Sequence, residues 1–390
     1  MRRFFLAALA VFFLVSVPDV QAEIRALWVT RWDYKTEQDV VSIMTNAATH
    51  GFNAVLFQVR GDGTVHYPSK IEPWTWQLTG DSPAATGNDP AWDPLAVAIR
   101  EAENRKLQIH AYMNVLPGWR GEESPPKESG QVWATHPEWF MVDLAGKRMR
   151  PCKSWYTFLS PHHPEARAHL KRLFAEVAAQ YKVDGIHLDY FRFPSDYPAE
   201  QAYGKLKSAE LVRHKDFSYD KTALEQFKTR TGKTPAQDAD AWNRFRCGAL
   251  TDLLREIRSA ALKENPSLVL SCAVLADPDK GKETYFQDSA LWLREGLMDL
   301  VFPMNYYRKS FDSNLKKYCD TVGEQRIGRV ATGISLEQPV EELRREIALI
   351  RKQRTAGMAF FAYSSIFKNH APTKTAKTLK TILAGTMNSE

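Results

Sequence analysis

The chain has 390 residues, of which 44% are hydrophobic, 25% charged and 12% aromatic. This balance excludes a disordered, collagen-like or small disulfide-stabilised protein, and the length suffices for one large hydrophobic core. The 52 basic and 46 acidic side chains give a net charge of only +6 without any basic run, which argues against nucleic acid as a partner.

The first 22 residues have the three parts of a secretory signal peptide. Residues 2 and 3 are arginines, residues 4–17 form an apolar stretch, and Val20-Gln21-Ala22 is a small-x-small cleavage motif. The alternative is a membrane anchor, but the apolar run is short for a transmembrane helix and no Lys/Arg cluster follows it. We therefore predict cleavage after Ala22, a secreted or periplasmic mature chain, and no membrane-spanning segment within it.

Four cysteines, Cys152, Cys247, Cys272 and Cys319, are scattered along the chain. They form no CxxC motif and no His/Cys pair at metal-ligand spacing, so we predict no metal site. We also expect the protein to need no organic cofactor. In an exported protein they are compatible with one or two disulfides and equally with buried free thiols.

After residue 22, short β-rich runs alternate with amphipathic stretches. The predicted strands are Ile24–Thr30, Ala54–Val59, Gln108–Val115, Gly185–Tyr190, Leu268–Val274, Leu300–Asn305, Arg329–Ser335 and Met358–Tyr363. The predicted helices are Thr36–His50, Pro94–Arg105, Pro164–Tyr181, Ala239–Glu264, Asp288–Glu295, Ser310–Gly323, Val340–Gln353 and Thr373–Leu383. Eight such units indicate an α/β fold with a single (β/α)8 TIM-type barrel. An open doubly wound sheet would need a Gly-rich phosphate-binding turn after the first strand, and none is present.

The barrel domain is predicted over residues 23–370, followed by a C-terminal helix and tail over residues 371–390. Two long insertions interrupt the repeat, Gly118–Pro161 after strand three and Ser195–Asp238 after strand four. Both leave from the C-terminal ends of strands, where the active sites of barrel enzymes are built. We expect them to form the walls of a cleft.

Polar residues occupy alternate positions in three predicted strands. They are Gln58 and Arg60 on strand two, His110, Tyr112 and Asn114 on strand three, and His187 and Asp189 on strand four. Because side chains alternate between the two faces of a strand, each set points to one side. This pattern favours a polar pocket in the barrel interior over the alternative, a hydrogen-bonded polar core layer.

The strongest local signal is the segment 183–194, in which Asp189 ends an apolar strand. A buried carboxylate needs partners, and His187 and Arg192 are close enough in sequence to provide them. An Asp kept ionised by an Arg suits a nucleophile or a group that stabilises positive charge in the transition state. The alternative is a structural Asp–Arg pair.

Glycoside hydrolysis needs a second carboxyl group, and the sequence offers several loop carboxylates. Asp277, just beyond strand five, is the first candidate because of its position at a strand end. Glu72, in the loop after strand two, is the next, and Glu122 and Glu123 lie in the third loop.

Aromatic residues are concentrated in the loops that are predicted at this face. They include Trp28, Trp74, Trp76, Trp119, Trp133 and Trp139. Aromatic rings stack on the C–H faces of sugars, although any single Trp is more often a packing residue. The run Met304-Asn305-Tyr306-Tyr307 adds an amide and hydroxyl groups suited to sugar hydroxyls.

In these segments the chain resembles the glycosyl hydrolase-like 10 family of exported bacterial proteins. The matching segments, in family order, are Arg25–Val29, Phe57–Arg60, Tyr67–Ser69, Glu72–Trp74, Trp92–Leu95, His136–Trp139, Asp184–Pro194, Gln287-Asp288 and Pro303–Tyr306. The resemblance covers about residues 23 to 366 and implies a (β/α)8 hydrolase. One envelope branch of the family is implicated in cleaving peptidoglycan glycan strands. By resemblance, Asp189 matches the presumed catalytic acidic residue that ends strand four.

The chain departs from the family pattern at two positions. Thr64 stands where an Asp often follows the Arg that matches Arg60, with Asp62 nearby but out of register, and Tyr190 replaces a second Asp after Asp189. A family-18 chitinase mechanism is excluded, because it needs a Glu where this chain has Phe191.

These observations predict an exported glycoside hydrolase that acts on a bacterial polysaccharide, specifically peptidoglycan glycan strands. Asp189 is the predicted nucleophile or charge stabiliser, and Asp277 or Glu72 supplies the proton. The predicted substrate-binding residues are Trp28, Arg31, Gln58, Arg60, His110, Asn114, His187, Tyr190, Arg192, Asn305, Tyr306 and Tyr363. The alternative function is a catalytically silent glycan-binding barrel of the cell envelope.

Overall fold

The computed structural model describes residues 23–151, 156–194 and 216–385. The predicted signal peptide and Cys152 lie outside the described residues. Within them, Cys247, Cys272 and Cys319 are free thiols. No helix in this part of the chain combines the length and apolar character needed to cross a bilayer.

Eight parallel strands close into a barrel, which confirms the predicted (β/α)8 architecture. They are β1 Ile24–Val29, β2 Ala54–Arg60, β3 Gln108–Asn114, β4 Gly185–Asp189, β5 Val269–Leu275, β6 Leu300–Met304, β7 Ala331–Ser335 and β8 Gly357–Phe361. Each strand pairs with the next in chain order, and β8 pairs with β1 to close the barrel. Their C-terminal ends therefore form one rim.

Eight main helices follow the strands on the outside of the barrel. They are α1 Glu37–Thr49, α2 Pro94–Glu103, α3 Pro164–Gln180, α4 Ala239–Glu264, α5 Ser289–Arg294, α6 Phe311–Val322, α7 Val340–Lys352 and α8 Lys374–Ala384. Side-chain caps fix several of the starts: Asp93 accepts hydrogen bonds from the first turn of α2, and Thr36 and Asp39 form a capping box on α1.

The loops contain further helices that the sequence pattern did not predict, at Val132–Thr135, Lys221–Thr231, Pro278–Tyr285 and Tyr363–Ile366. The third loop also carries a small antiparallel pair, Pro117–Arg120 with Tyr156–Phe158. The end of β4 differs by one residue from the predicted end, Tyr190. β4 stops at Asp189 because Tyr190 takes a left-handed backbone conformation, with φ at 49°.

The barrel interior combines an apolar cluster with a short polar chain. Trp28, Leu56 and Phe302 pack inside the barrel. The Trp28 indole N–H donates to Nε2 of His187 at 3.2 Å, so the other ring nitrogen of His187, Nδ1, carries the proton and donates to the Ser271 hydroxyl at 2.9 Å. Burial, together with His110, lowers the pKa of His187 well below its usual value. His187 is therefore a neutral core residue.

Candidate active site

Asp189 lies at the C-terminal end of β4 with its carboxylate held by three donors. The Tyr112 hydroxyl donates to Oδ2 at 2.8 Å, and the Tyr190 backbone N–H donates to Oδ1 at 2.6 Å. Arg192 Nη1 donates to the same Oδ1 at 3.2 Å. Only 7% of Asp189 is exposed. The three donors hold the carboxylate in one orientation at the rim of the barrel.

Two tyrosines next to Asp189 remain protonated. Burial and the charge of Asp189 raise the pKa of Tyr112 well above its usual value, so its hydroxyl remains a donor to the carboxylate. The same two causes raise the pKa of Tyr306, whose ring stacks on Phe361 at 5.5 Å between centroids. Both phenols are therefore neutral hydrogen-bonding groups near a carboxylate.

A chain of contacts connects Asp189 to the loops after β1 and β2. The Arg192 guanidinium lies 4.4 Å from the centroid of the Tyr190 ring, which meets Tyr156 edge to face at 5.0 Å. Arg31 then donates to the Tyr156 hydroxyl at 3.2 Å and lies 3.7 Å from the Asp62 carboxylate. Arg31, Tyr190 and Arg192, which the sequence predicted, therefore lie in one network with Asp189.

The network ends at an open cleft of about 430 Å³. Its lining includes Trp32, Asp62, Trp76, Gln77 and Arg120. We name these residues, with Asp81, Ser82, Pro83 and residues 121–123 that also line it, the tryptophan cleft. Trp119 and Trp139, which the sequence analysis also considered for sugar contacts, are instead buried in the fold.

Glu72 is fully buried, and the role of proton donor does not suit its environment. Arg60 binds both carboxylate oxygens, at 2.6 and 2.8 Å, and His169 Nε2 lies 2.9 Å from Oε1. Burial alone would raise the pKa of Glu72, but Arg60 and His169 outweigh burial and lower it to about 2. A carboxyl group that is ionised down to this pH holds no proton to donate near neutrality.

Arg60, the partner of Glu72, holds the backbone at the end of β3. Besides Glu72, its guanidinium donates to the backbone carbonyls of Asn114, Val115 and Pro117, and so it fastens the chain that leaves β3. All of its donor groups face protein acceptors, and it is fully buried.

Asp277 caps a helix and does not suit proton donation either. Its carboxylate accepts the backbone N–H groups of Asp279 and Lys280 at the start of the helix Pro278–Tyr285, and Lys317 Nζ lies 2.7 Å away. Burial tends to raise the pKa of Asp277, but these donors lower it below its usual value. Asp277 is therefore ionised at neutral pH.

Three predicted amide ligands are bonded within the protein at the rim. Gln58 Oε1 accepts the backbone N–H of Arg31 at 3.0 Å and so positions that residue. Asn114 donates to the Gly61 carbonyl at 2.9 Å, and Asn305 donates to the Phe311 carbonyl at 2.8 Å at the start of α6. These amides support the loops that surround Asp189.

The structure places four other predicted ligands away from the rim surface. Trp28 and His187 are buried in the barrel interior. His110 pairs with Gly185, the first residue of β4, and lines a cavity of about 210 Å³ at the N-terminal end of the barrel. Tyr363 begins the short helix that follows β8, and its hydroxyl accepts a hydrogen bond from Asn46 of α1 at 2.8 Å.

Sequence reasoning named Tyr112 for the polar pocket, through the strand parity that it shares with His110 and Asn114. It missed two other residues of this site, Tyr156 and Trp32. Tyr156 and Trp32 lie in loops, where no periodicity indicates which way a side chain points.

The family model for glycosyl hydrolase-like 10 matches residues 23–338. The chain belongs to this family. This membership confirms the resemblance that the ordered motifs indicated.

Among curated relatives, the glycosyl hydrolase YngK of Bacillus subtilis is 25% identical over 344 residues. This match covers 80% of the chain and 60% of YngK. The glycosyl hydrolase DigH of Escherichia coli K12 is 25% identical over 327 residues, covering 77% of the chain and 65% of DigH. The chain therefore spans less than two thirds of either relative.

Solved structures show the same fold. The glycoside hydrolase domain of PgaB (BpsB) from Bordetella bronchiseptica matches with a TM-score of 0.62 at 15% identity, covering 93% of the chain and 99% of that domain. The β-amylase catalytic domain of Paenibacillus polymyxa matches with a TM-score of 0.61 at 14% identity, covering 93% of the chain and 98% of that domain. At this identity the likeness concerns the fold alone.

Proposed function

We propose that the protein is an exported glycoside hydrolase that cleaves glycosidic bonds in a bacterial cell-wall polysaccharide, the glycan strands of peptidoglycan. The observation that carries this proposal is the carboxylate of Asp189, fixed by three donors at the catalytic rim of a (β/α)8 barrel. Family membership and the relatives named glycosyl hydrolase support the reaction class. The signal-peptide pattern of residues 1–22 supports export, because this substrate lies outside the cytoplasm.

In this mechanism Asp189 faces the anomeric carbon of the sugar whose bond breaks. Glycosidic cleavage passes through a transition state with oxocarbenium character, and a fixed carboxylate stabilises that positive charge or attacks the carbon. Tyr112 and Arg192 hold the carboxylate in one orientation, which avoids reorganisation during the reaction. Tyr306 provides a hydroxyl group that positions the sugars, and the buried Arg31 holds Tyr156 and Asp62 beside them.

The mechanism also needs a second carboxyl group that donates a proton to the leaving group, and mutation identifies it. Glu72 and Asp277 are both held as anions by cationic partners, which does not suit a proton donor. Asp62 lines the tryptophan cleft and contacts the network of Asp189 through Arg31. The test therefore includes Asp62→Asn beside Asp277→Asn and Glu72→Gln.

The deciding experiment digests purified, amidase-treated peptidoglycan glycan strands with the mature chain and analyses the products by mass spectrometry. Asp189→Asn keeps the size of the side chain but removes its charge, so we expect turnover to fall roughly a thousandfold, about 4 kcal/mol of transition-state stabilisation. Glycan binding and melting temperature should change little. Asp320→Asn, the same change in an ion pair with Lys316 on the exposed surface of α6, is the matched control.

Other outcomes separate the alternatives. Binding of glycan without any product from the wild-type protein would favour the silent glycan-binding barrel. A much lower melting temperature for Asp189→Asn, with turnover per folded molecule unchanged, would make Asp189–Arg192 a structural pair and contradict the catalytic assignment.

A further inference from the structure

The tryptophan cleft lies beside the candidate active site and carries an unusually exposed indole. Trp32 is 54% exposed although it is a large aromatic residue. The other exposed large apolar side chains among the described residues are Leu144, Tyr307 and Phe361. Trp32, Tyr307 and Phe361 all lie at or just after the C-terminal ends of barrel strands, so exposed aromatic surface is concentrated at the rim that carries Asp189.

The Trp32 ring is supported by the protein although it is exposed. The guanidinium groups of Arg31 and Arg120 lie 4.7 and 5.6 Å from the centroid of its ring. Arg31 is itself buried and bonded to Tyr156 and Gln58. An indole that is fixed in this way loses little conformational entropy when a ligand stacks on it.

The charge of the cleft limits the kind of ligand that fits it. Its lining contains four carboxylates, Asp62, Asp81, Glu122 and Glu123, and one guanidinium, Arg120. Arg31 pairs with Asp62 at 3.7 Å and Lys35 with Asp81 at 3.3 Å, so the acidic groups outnumber these cations by one. Carboxylates accept hydrogen bonds from sugar hydroxyls, whereas an acidic substituent would meet like charge. A volume of about 430 Å³ is within the usual range for small-ligand pockets.

We propose that the tryptophan cleft is a sugar-binding subsite in which Trp32 stacks on the ring of a sugar that has no acidic substituent. The proposal rests on the proposed function and extends it, because it assigns a second position along the same polysaccharide chain. The contacts from Asp189 through Tyr190, Tyr156 and Arg31 to Asp62 show that the subsite adjoins the candidate catalytic carboxylate. In a glycan strand, the subsite would take an N-acetylglucosamine and exclude a muramic acid.

The test follows the Trp32 indole N–H signal by NMR in the 15N-labelled mature chain, with the signal assigned through Trp32→Phe. A neutral hexamer of N-acetylglucosamine should shift this signal, whereas a hexamer of galacturonic acid should not.

In digestion of glycan strands, Trp32→Ala should raise KM about tenfold, equivalent to about 1.4 kcal/mol, with little change in kcat. Trp32→Phe should recover part of the loss, and Leu144→Ala, which removes an exposed apolar side chain elsewhere, should match wild type.

Several results would overturn the subsite. If the neutral hexamer binds and shifts other signals but not that of Trp32, the subsite is wrong while the proposed function stands. If the acidic hexamer shifts the Trp32 signal equally, the assigned class of sugar is wrong. If the wild-type protein neither binds nor digests any of these glycans, both the subsite and the proposed function fail.

Discussion

At the scale of single residues, the ion pair of Glu72 with Arg60 shows how a buried charge is kept inside the fold. Removing a carboxylate from water costs several kcal/mol, and Glu72 recovers this cost through a two-point contact with Arg60 and a third contact with His169. Arg60 in turn holds the backbone that leaves β3. The pair thus connects the loop after β2 to the wall of the candidate site.

Glu72→Gln should destabilise the protein by about 3 kcal/mol at pH 7, because it leaves Arg60 buried without a counter-charge. The pKa of Glu72 is about 2 in the folded protein, against 4.5 for an ordinary Glu. Its stabilisation is therefore complete above about pH 4.5 and is lost as the pH falls from there towards 2.

Urea unfolding at a series of pH values measures this effect, and the gap between wild type and Glu72→Gln should narrow below pH 4.5. Glu37→Gln is the control, because Glu37 forms an ion pair with Arg100 at a similar distance, 2.7 Å, but on the exposed surface. That change should cost less than about 0.5 kcal/mol. Equal stabilities of Glu72→Gln and wild type at pH 7 would contradict the role of the pair.

The residue patterns in the sequence predicted which face of a strand each side chain occupies, but not how far along the barrel it lies. Strand parity correctly indicated that His110, His187 and Asp189 face the barrel interior, because alternation is a local property of a strand. It could not indicate that His110 lies near the N-terminal end, His187 in the middle and Asp189 at the rim. The sequence could not predict the ion pair of Glu72 with Arg60 either, because this pair depends on how the loop after β2 folds back.

At the scale of elements, the sequence periodicity predicted all eight strands, and their ends shifted by at most two residues. β7 begins at Ala331 and not at Arg329, because residues Ile327–Arg329 form a 3-10 turn. The loop helices Val132–Thr135 and Tyr363–Ile366 were missed because they have only four residues. Lys221–Thr231 was missed because its apolar residues Ala223 and Phe227 pack on Trp242 of α4, a contact that depends on how the insertion folds. Tertiary contacts, which a local pattern does not contain, decide such segments.

Helix α7 contains a buried acidic group that works against stability at neutral pH. Glu346 is buried, with Gln338 Nε2 donating to its carboxyl group at 2.6 Å. Burial raises the pKa of Glu346 to about 7, despite the opposing effects of Gln338 and Arg345. The folded state therefore favours the protonated form, and its stability falls as the pH rises from about 4.5 to 7.

Glu346→Gln should stabilise the protein by about 1 kcal/mol at pH 8 and have little effect at pH 4.5, where the natural carboxyl group is already neutral. Melting temperatures of both proteins across this pH range measure the difference. Glu341→Gln, an exposed Glu on the first turn of the same helix, is the control and should show no such pH trend. A destabilised Glu346→Gln at pH 8 would show that the ionised carboxylate is needed.

At the scale of the whole molecule, α8 and α7 secure the seam where β1 meets β8. Arg351 of α7 binds the Glu23 carboxylate at 2.8 Å, just before β1, and donates to the Gly385 carbonyl at 2.8 Å, just after α8. Leu379, Ile382 and Leu383 of α8 are buried in the main hydrophobic core. The last helix therefore contributes to the closed barrel.

A chain that ends at residue 370, the boundary that the sequence predicted for the barrel domain, should therefore fail to fold cooperatively. Loss of the three buried aliphatic side chains costs roughly 5–9 kcal/mol. This approaches the whole stability of a typical domain, about 5–15 kcal/mol. Residues 23–385 are the matched control, because this chain keeps α8 and the carbonyl that Arg351 binds. Thermal and urea unfolding of the two chains measure the difference. If residues 23–370 unfold cooperatively at the temperature of the control, α8 is an appendage and the barrel closes without it.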